Sequence, residues 1–529
     1  MKKVKKTDDF GLIKNDSFDF EKIESYFRKK DKSNTFQILS DKTCEDLDLQ
    51  ELFMFIDRTN SKVGQQYLYN KLRTIPFNSK QNDEQEKFIK IVLDNPDLRE
   101  SIQNQLSKLN KNEVFYISSL FQDEFLKPPK WYFVVKLLSF TSVLSLLMAF
   151  INPIMFLVVL GVFMINFVIH YWNKKNLYHY FGSIPQLLKL NDVARELFKN
   201  STLKELNPEL IKSINVIDKV RNHMSFFNLE VKLQTDSQLF FWGVFEVFKT
   251  LFLLEPLLLF GALRQLDTRR KEIEDIFIFV GKIDSILSVA SLRKGLSSYC
   301  LPEIVHEQKI IVAKEVYHPL IFDCVNNSIH LNKKSILLTG SNMSGKTSFI
   351  RTIGINTLTG LTINTCFAEQ FLMPRVRIYS AIRISDDLMN AKSYYFEEVL
   401  TIKDMIDNSG KGNPNLFLLD ELFKGTNTVE RISAGKAVLS SLAKADNIVF
   451  VSTHDIELAH LLKNEYDLYH FSEIVDNEQI NFDYILKQGF LKTRNAIKIL
   501  ELNGYPNEII EEAKQLAVVF DAKSQTSNT

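Results

Sequence analysis

The residues best equipped for chemistry are Gly340-Ser341-Asn342-Met343-Ser344-Gly345-Lys346-Thr347, in GxxxxGK[ST] spacing. Its two glycines let the backbone wrap with amides pointed inward, a cradle for phosphate oxygens. The helix that starts at its end adds partial positive charge. At this spacing Lys346 reaches the β- and γ-phosphates of a bound triphosphate, and the Thr347 hydroxyl ligates Mg2+. Gly340 through Ser348, Asn342 included, form the expected nucleotide-binding set. A second piece is Asn415-Leu416-Phe417-Leu418-Leu419-Asp420-Glu421, four apolar residues closed by two carboxylates. An isolated Asp-Glu pair is ordinarily a solvated loop. At the carboxyl end of a buried parallel strand, where open α/β sheets bind ligands, it has other work. Asp420 there holds the metal's water shell, and Glu421 polarises an attacking water, which points to hydrolysis. The third piece is the run Asn447 to Asp455, NIVFVSTHD, another apolar strand ending in Thr-His. A lone histidine is most often a surface or core residue; at a strand end His454 is placed to sense a γ-phosphate or orient water. The expected catalytic set is Glu421, His454 and Lys346, with Thr347 and Asp420 as the Mg2+ ligands.

These pieces need a sheet to position them. From about Lys309 the texture supplies one: KIIVA, SIHL, SILLT, NLFLLD and NIVFVST alternate with helical stretches, the pattern of an α/β domain with a mostly parallel sheet. Before about residue 300 the chain reads as helical over 47–73, 84–126 and 176–235, the first stretch broken near Thr59-Asn60. The expected layout is an N-terminal segment 1–44, a helical domain 45–300, a phosphate-binding domain 301–519 and a tail 520–529.

Composition narrows the classes. With 65 Lys+Arg against 64 Asp+Glu, there is no cationic excess for tail-driven nucleic-acid binding, so any DNA contact needs a local patch. The four cysteines lie far apart without a CxxC, which excludes a zinc site and a disulfide framework and suits a reducing compartment. One segment does not fit a soluble protein. From Leu137 to Asn173 there is no Asp, Glu, Lys or Arg, and Asn152-Pro153 splits the run into 132–151 and 154–173. Each half is about the 20 residues a spanning helix needs. Trp131, Tyr132, Tyr171 and Trp172 mark its ends, and Lys127, Lys130, Lys174 and Lys175 flank it. Lysines on both sides place both ends in the cytoplasm, so 131–173 reads as a transmembrane hairpin with a short outer turn. A buried helical pair is the plainer reading, but it would carry a polar stripe. The stretch 239–263 carries Glu246, Lys249 and Glu255, is interrupted by Pro256, and reads as buried helix, with a membrane-associated role as the alternative.

The chain resembles the MutS family of DNA mismatch-repair ATPases. TGSNMSGKT is similar to the family's TGPNMGGKS, with Ser341 in place of Pro and Ser344 in place of Gly. Ser385-Asp386-Asp387-Leu388, Ala391-Lys392-Ser393 and Glu398 resemble its SDDL...GRSTF...E signature, with Ala391 and Lys392 replacing Gly and Arg. DELFKGTNTVE, STHDIELA, Tyr317-His318-Pro319 and the segment from Ala496 to Pro506 resemble further elements, in order, over about 310–518. The resemblance implies an α + α/β protein: a helical lever domain, interrupted here by the hairpin, then a P-loop ATPase domain of ABC type. It also implies ATP and Mg2+ as ligands and a homodimer. Ser393 would reach the partner's γ-phosphate, Asn342 would contact phosphate, and helices in 494–519 would hold the dimer. LDLQELFMFIDRTNSKVGQQYLYNKLRTIP resembles the lever opening, with Thr59, Gly64 and Leu72 in the expected places. In the family two lever helices carry a DNA clamp; here the hairpin stands at a similar point, which implies a membrane anchor in its place. No mismatch-reading domain with a Phe-x-Glu wedge is evident.

Two functions follow. One is a membrane-tethered MutS-related ATPase, with its ATPase domain in the cytoplasm, acting on DNA. The alternative is a tethered ATP-driven dimeric clamp or switch acting on a protein partner without mismatch recognition. A transporter is disfavoured: one hairpin offers no permeation path, and SDDLMNAKS stands where LSGGQ would be.

Overall fold

The computed structural model describes residues 9–78, 80–125, 127–176, 178–235, 239–306, 309–341, 343–383, 394–410, 412, 414–476, 479–489, 497, 500–501 and 504–526. The chain forms two compact units. One gathers residues up to 34, 56–73 and 78–295; the other gathers 35–55, 74–77 and 296 onward.

The first unit is helical. Its core helices are α1 (Phe20–Lys29), α2 (Lys62–Arg73), α5 (Tyr178–Phe198), α6 (Leu210–Thr235) and α9 (Arg270–Gly295). α9 packs on both α2 and α6. Two glycines set the α2–α9 distance. A Cβ at Gly281 would lie 2.7 Å from that of Tyr67, and one at Gly64 would overlap the Asp284 carboxylate. Asp284 also satisfies the start of α2, where amides have no helical partner. It accepts from Asn60 N at 2.8 Å, Ser61 N at 2.8 Å and Ser61 Oγ at 2.5 Å. Burial pushes its carboxyl up to about 6 against the pull of those bonds.

The apolar hairpin of this unit is α3 (Tyr132–Ala149) and α4 (Met155–Asn176), packed on each other. Only 22% of the residues of α3 and 11% of those of Met155–Trp172 are buried, so both helices turn hydrocarbon outward. The rings of Trp131 and Trp172 meet at 5.6 Å where the hairpin begins and ends. The stretch read as one buried helix over 239–263 is instead two helices, α7 (Leu239–Phe252) and α8 (Leu254–Asp267). The break falls at Leu253, in left-handed conformation with φ +48°, and not at Pro256. A proline in the first turn of a helix removes no helical hydrogen bond.

The second unit is α/β. Strands β1 (Ser335–Thr339), β2 (Arg377–Ala381), β3 (Asn415–Asp420), β4 (Ile448–Ser452), β5 (Tyr466–His470) and β6 (Lys487–Gln488) form a sheet in the order β6-β5-β1-β4-β3-β2. All pairs are parallel except β6 with β5. β1 and β4 are buried along their whole length, as expected for strands covered on both faces. Helix α10 (Lys346–Ile363) packs on β3 and β4. A core of Leu337, Phe417, Leu419, Val449 and Val451 also gathers Leu439 and Leu442 of α11 (Thr428–Leu442) and Leu458 and Leu462 of α12 (Ile456–Leu462). The KIIVA and SIHL runs enter a separate four-stranded sheet, where Ile310–Val316 and Asn327–Asn332 pair antiparallel.

This unit does not begin at a single cut near 300, because residues 35–55 are bonded into it. Asp46 accepts from Ser380 Oγ at 2.6 Å, Ile382 N at 3.0 Å and Arg383 N at 2.7 Å, fixing the chain as it leaves β2. Asp48 pairs with Arg351 of α10 at 3.2 Å and with Arg383 at 2.6 Å.

Candidate functional site

Strand register brings the three sequence pieces together. Leu338 of β1 lies beside Ser452 of β4, and Ser452 beside Asp420 of β3. The residues just past those positions, Gly340, His454 and Glu421, therefore emerge at one edge of the sheet. The crossovers are stitched by Thr453 N to Leu338 O at 3.0 Å and Glu421 N to Ser452 O at 3.0 Å.

The 340–347 loop turns through Gly340 (φ +146°) and Gly345 (φ +105°), conformations that favour glycine. At Gly340 a Cβ would lie 2.8 Å from Phe471 O and 2.9 Å from Ser344 Oγ. Lys346 folds back over the loop and donates to Gly340 O at 3.0 Å and Ser341 O at 2.8 Å. Burial lowers its pKa, although Glu421 and Asp420 oppose this. The buried Ser344 Oγ has no hydrogen-bond partner among the described residues. Ser341, the departure from the family's proline, donates from Oγ to Glu473 Oε2 at 2.7 Å. Met343 is exposed, with φ +67°. Thr347 and Ser348 begin α10.

The Thr347 hydroxyl donates to Asp420 Oδ2 at 2.8 Å, and the Ser452 hydroxyl donates to Oδ1. This is an oxygen-only cluster of one carboxylate and two hydroxyls, the donor chemistry Mg2+ prefers. Glu421 sits in left-handed backbone (φ +49°), and Phe423 does too (φ +60°). Glu421 Oε1 lies 2.8 Å from His454 Nε2, and Oε2 lies 2.8 Å from Lys424 Nζ. Burial alone would raise the Glu421 carboxyl, but the bonds and charges of His454 and Lys424 win and hold it at about 2. His454 Nε2 is also 3.5 Å from Lys346 Nζ. Lys346, Thr347, Asp420, Glu421 and His454 thus converge on one point. A cavity of about 610 Å³ opens beside them, lined by Phe322, Val325, Asn327, Lys346, Phe471 and Tyr484 among others.

Asn342 and Ser393 lie outside the described residues, as does the 384–393 stretch that carries the signature resemblance. Glu398, just beyond it, is buried and accepts from Phe423 N at 2.6 Å, which ties that helix to the turn after Glu421. The sequence reading gave no role to Ser452, Lys424 or Glu473. Ser452 was findable as the last strand residue two before His454, and Lys424 by its i+3 spacing from Glu421. Glu473 reaches the loop from a distant strand and left no local signal.

Residues 336–521 match the family model for MutS domain V. The chain is 31% identical over 249 residues to the DNA mismatch repair protein MutS of Aquifex pyrophilus, covering 45% of this chain and 28% of that protein. It is 29% identical over 258 residues to the DNA mismatch repair protein MutS of Petrotoga mobilis, covering 46% and 31%. It is 27% identical over 274 residues to the DNA mismatch repair protein MSH3 of Candida albicans, covering 47% and 25%. The similarity lies in the C-terminal part of the chain, which carries a domain of the MutS domain V type. The chain spans less than a third of the length of these curated relatives.

Proposed function

We propose that the C-terminal unit binds ATP with Mg2+ and hydrolyses it, and that the 131–173 hairpin tethers this activity to a membrane, with the ATPase domain in the cytoplasm. The carrying observation is the meeting of Lys346, Thr347, Asp420, Glu421 and His454 at the carboxyl ends of adjacent parallel strands in a domain of the MutS family. The loop amides and Lys346 bind the phosphates; to do so Lys346 leaves the carbonyls of Gly340 and Ser341. Thr347 and Asp420 hold the metal, with Ser452 fixing the Asp420 carboxylate. Mg2+, when bound, neutralises charge on the phosphate oxygens. Glu421 stays ionised and accepts the proton of the attacking water, and His454 holds it in place. Phe322 and Tyr484 are among the residues that line the cavity beside them. By resemblance, Ser393 completes the site of a second copy in a homodimer held by helices within 494–519.

The relatives' names favour DNA as the substrate this ATPase acts on, through a local patch. The protein-partner clamp is retained as the second reading because the hairpin stands where the family carries its DNA clamp. Full-length protein in detergent distinguishes them, since 35–55 are bonded into the ATPase unit and a fragment from 300 would lack them. Phosphate release is measured with and without duplex, branched and mismatched DNA at low and high salt. Stimulation that fades with salt supports DNA, because phosphate contacts release counterions. Indifference to every DNA supports the protein partner. Resistance of the full chain, but not of one lacking 131–173, to carbonate extraction tests the tether.

A further inference from the structure

Helix α7 is folded inside out relative to a helix that faces water, whereas α8 buries Leu259, Ala262, Leu263 and Leu266 and exposes Arg264 and Asp267. Both pack on α3 and α4. A water-facing helix turns its charges to solvent and its apolar stripe inward. On α7 the stripe of Glu246, Lys249 and Thr250 faces in. Lys249 is 0% exposed, with Nζ 2.7 Å from Glu246 Oε2 and 2.5 Å from Oε1 of Glu255 on α8. His170 of α4, also fully buried, lies with Nε2 3.2 Å from Glu246 Oε1 and Nδ1 3.4 Å from Glu255 Oε2. The opposite stripe, Val244, Val247 and Phe248, is 55%, 56% and 52% exposed, and Leu258 of α8 is exposed too. Both stripes follow i, i+3, i+4 spacing, so they are true opposite faces.

Length and contacts give the depth. Each helix has 14 residues, about 21 Å, short of the ~30 Å hydrocarbon core. Neither can span, and the chain turns back at Leu253. Near that turn Asn166, midway along α4, donates to Leu251 O at 2.7 Å and to Oγ of Ser142, midway along α3, at 3.1 Å. The tip of the pair therefore reaches the middle of the hairpin. Non-helical backbone at such depth is tolerated where protein satisfies it, which Asn166 does here. The three acidic and histidine side chains are close enough to hold a metal ion. Lys249 already supplies a cation to both carboxylates, while His170 Nδ1 and Glu255 Oε2 have no hydrogen-bond partner among the described residues.

We infer that α7–α8 is a re-entrant pair embedded beside the hairpin, with Val244, Val247, Phe248 and Leu258 against the acyl chains of the leaflet where α3 begins and α4 ends. The inference rests on the membrane reading of α3–α4. Lipid is the occupant because this face continues the outward apolar surface of the hairpin, while every charge of α7 is turned to the interior.

The test reconstitutes full-length protein into vesicles of phosphatidylcholine and phosphatidylglycerol doped with a phosphatidylcholine carrying an acyl-chain diazirine. After irradiation, lipid adducts are mapped by mass spectrometry. Adducts at Val244–Phe248 are expected within about threefold of those at Phe156–Leu160, and about tenfold above those at Val429, an exposed residue of the other unit. Adducts at 156–160 but not at 244–248 would overturn the inference and leave the hairpin standing. Absence from both would overturn both. Replacement of lipid adducts at 244–248 by crosslinks between protein copies would assign the face to a second copy and also overturn it.

Discussion

Replacing Glu421 with Gln changes one oxygen to an amide and keeps the shape, so its effects can be worked out separately for stability and turnover. The carboxylate accepts from both His454 and Lys424, each at 2.8 Å. Gln keeps one acceptor, so one partner then faces an amide donor. A hydrogen bond to a charged group contributes about 1.5–3 kcal/mol. Lys424 is 47% exposed, so solvent screening brings the expected loss of stability to about 1 kcal/mol or less. Turnover should respond on another scale. Removing a general base costs about 10²- to 10⁴-fold, or about 3–5 kcal/mol of barrier. The assay is phosphate release at saturating ATP, with nucleotide affinity measured separately by fluorescence and stability by thermal melting. Lys424→Gln is the control: it breaks the same ion pair and keeps the carboxylate. The expected outcome is a melting shift of similar size in both variants, retained nucleotide binding in both, and loss of hydrolysis in Glu421→Gln far beyond that in the control. Hydrolysis by Glu421→Gln within about threefold of the parent, with binding intact, would refute Glu421 as the base.

Lys346→Ala should abolish nucleotide binding and, since its Nζ donates to the carbonyls of Gly340 and Ser341, also cost some stability; retained affinity of the folded variant in a binding titration would contradict the site. The Glu421 carboxyl is held at about 2, below its ordinary 4.5, so its ion pairing stabilises fully above pH 4.5 and fades as pH falls through about 2. Lys424→Met should therefore lose stability relative to the parent above pH 4.5, with the gap closing toward pH 2 in urea denaturation; a gap independent of pH would refute the linkage. Gly64→Ala places a methyl against Asp284 and should lower the melting transition of the helical unit by about 2 kcal/mol, an overpacking penalty; an unchanged transition would mean that α2 and α9 can separate freely.

The position of the 340–347 loop and of the strand-end acids was legible because each is local: an apolar run fixes a buried strand, and the residues after it must emerge at the sheet edge. The register that joins Leu338, Ser452 and Asp420 into one row was not legible in those runs, because the pairing of β1, β4 and β3 fixes it. The hairpin was legible from its missing charges. What escaped depends on partners far along the chain. Asp46 reads locally as one acid in a short helix, and only the amides of 382 and 383 give it a place in the C-terminal unit. The 239–263 stretch divides into two helices at Leu253, a break its sequence did not mark. Its charges argue against lipid when read along the sequence; in the folded unit Lys249 pairs with Glu246 and Glu255, and His170 lies beside both carboxylates.

The interleaving of residues 35–55 with the C-terminal unit has a consequence for how the protein is made. That segment leaves the ribosome about 320 residues ahead of β2, the strand it is bonded to. At about 5–20 residues per second it waits on the order of ten seconds or more. During that wait the apolar hairpin is synthesised and exposed, so delivery to a bilayer would precede assembly of the α/β unit. On the proposed membrane tether, the α/β half would then close around an early strip of chain only after the middle of the protein had been moored.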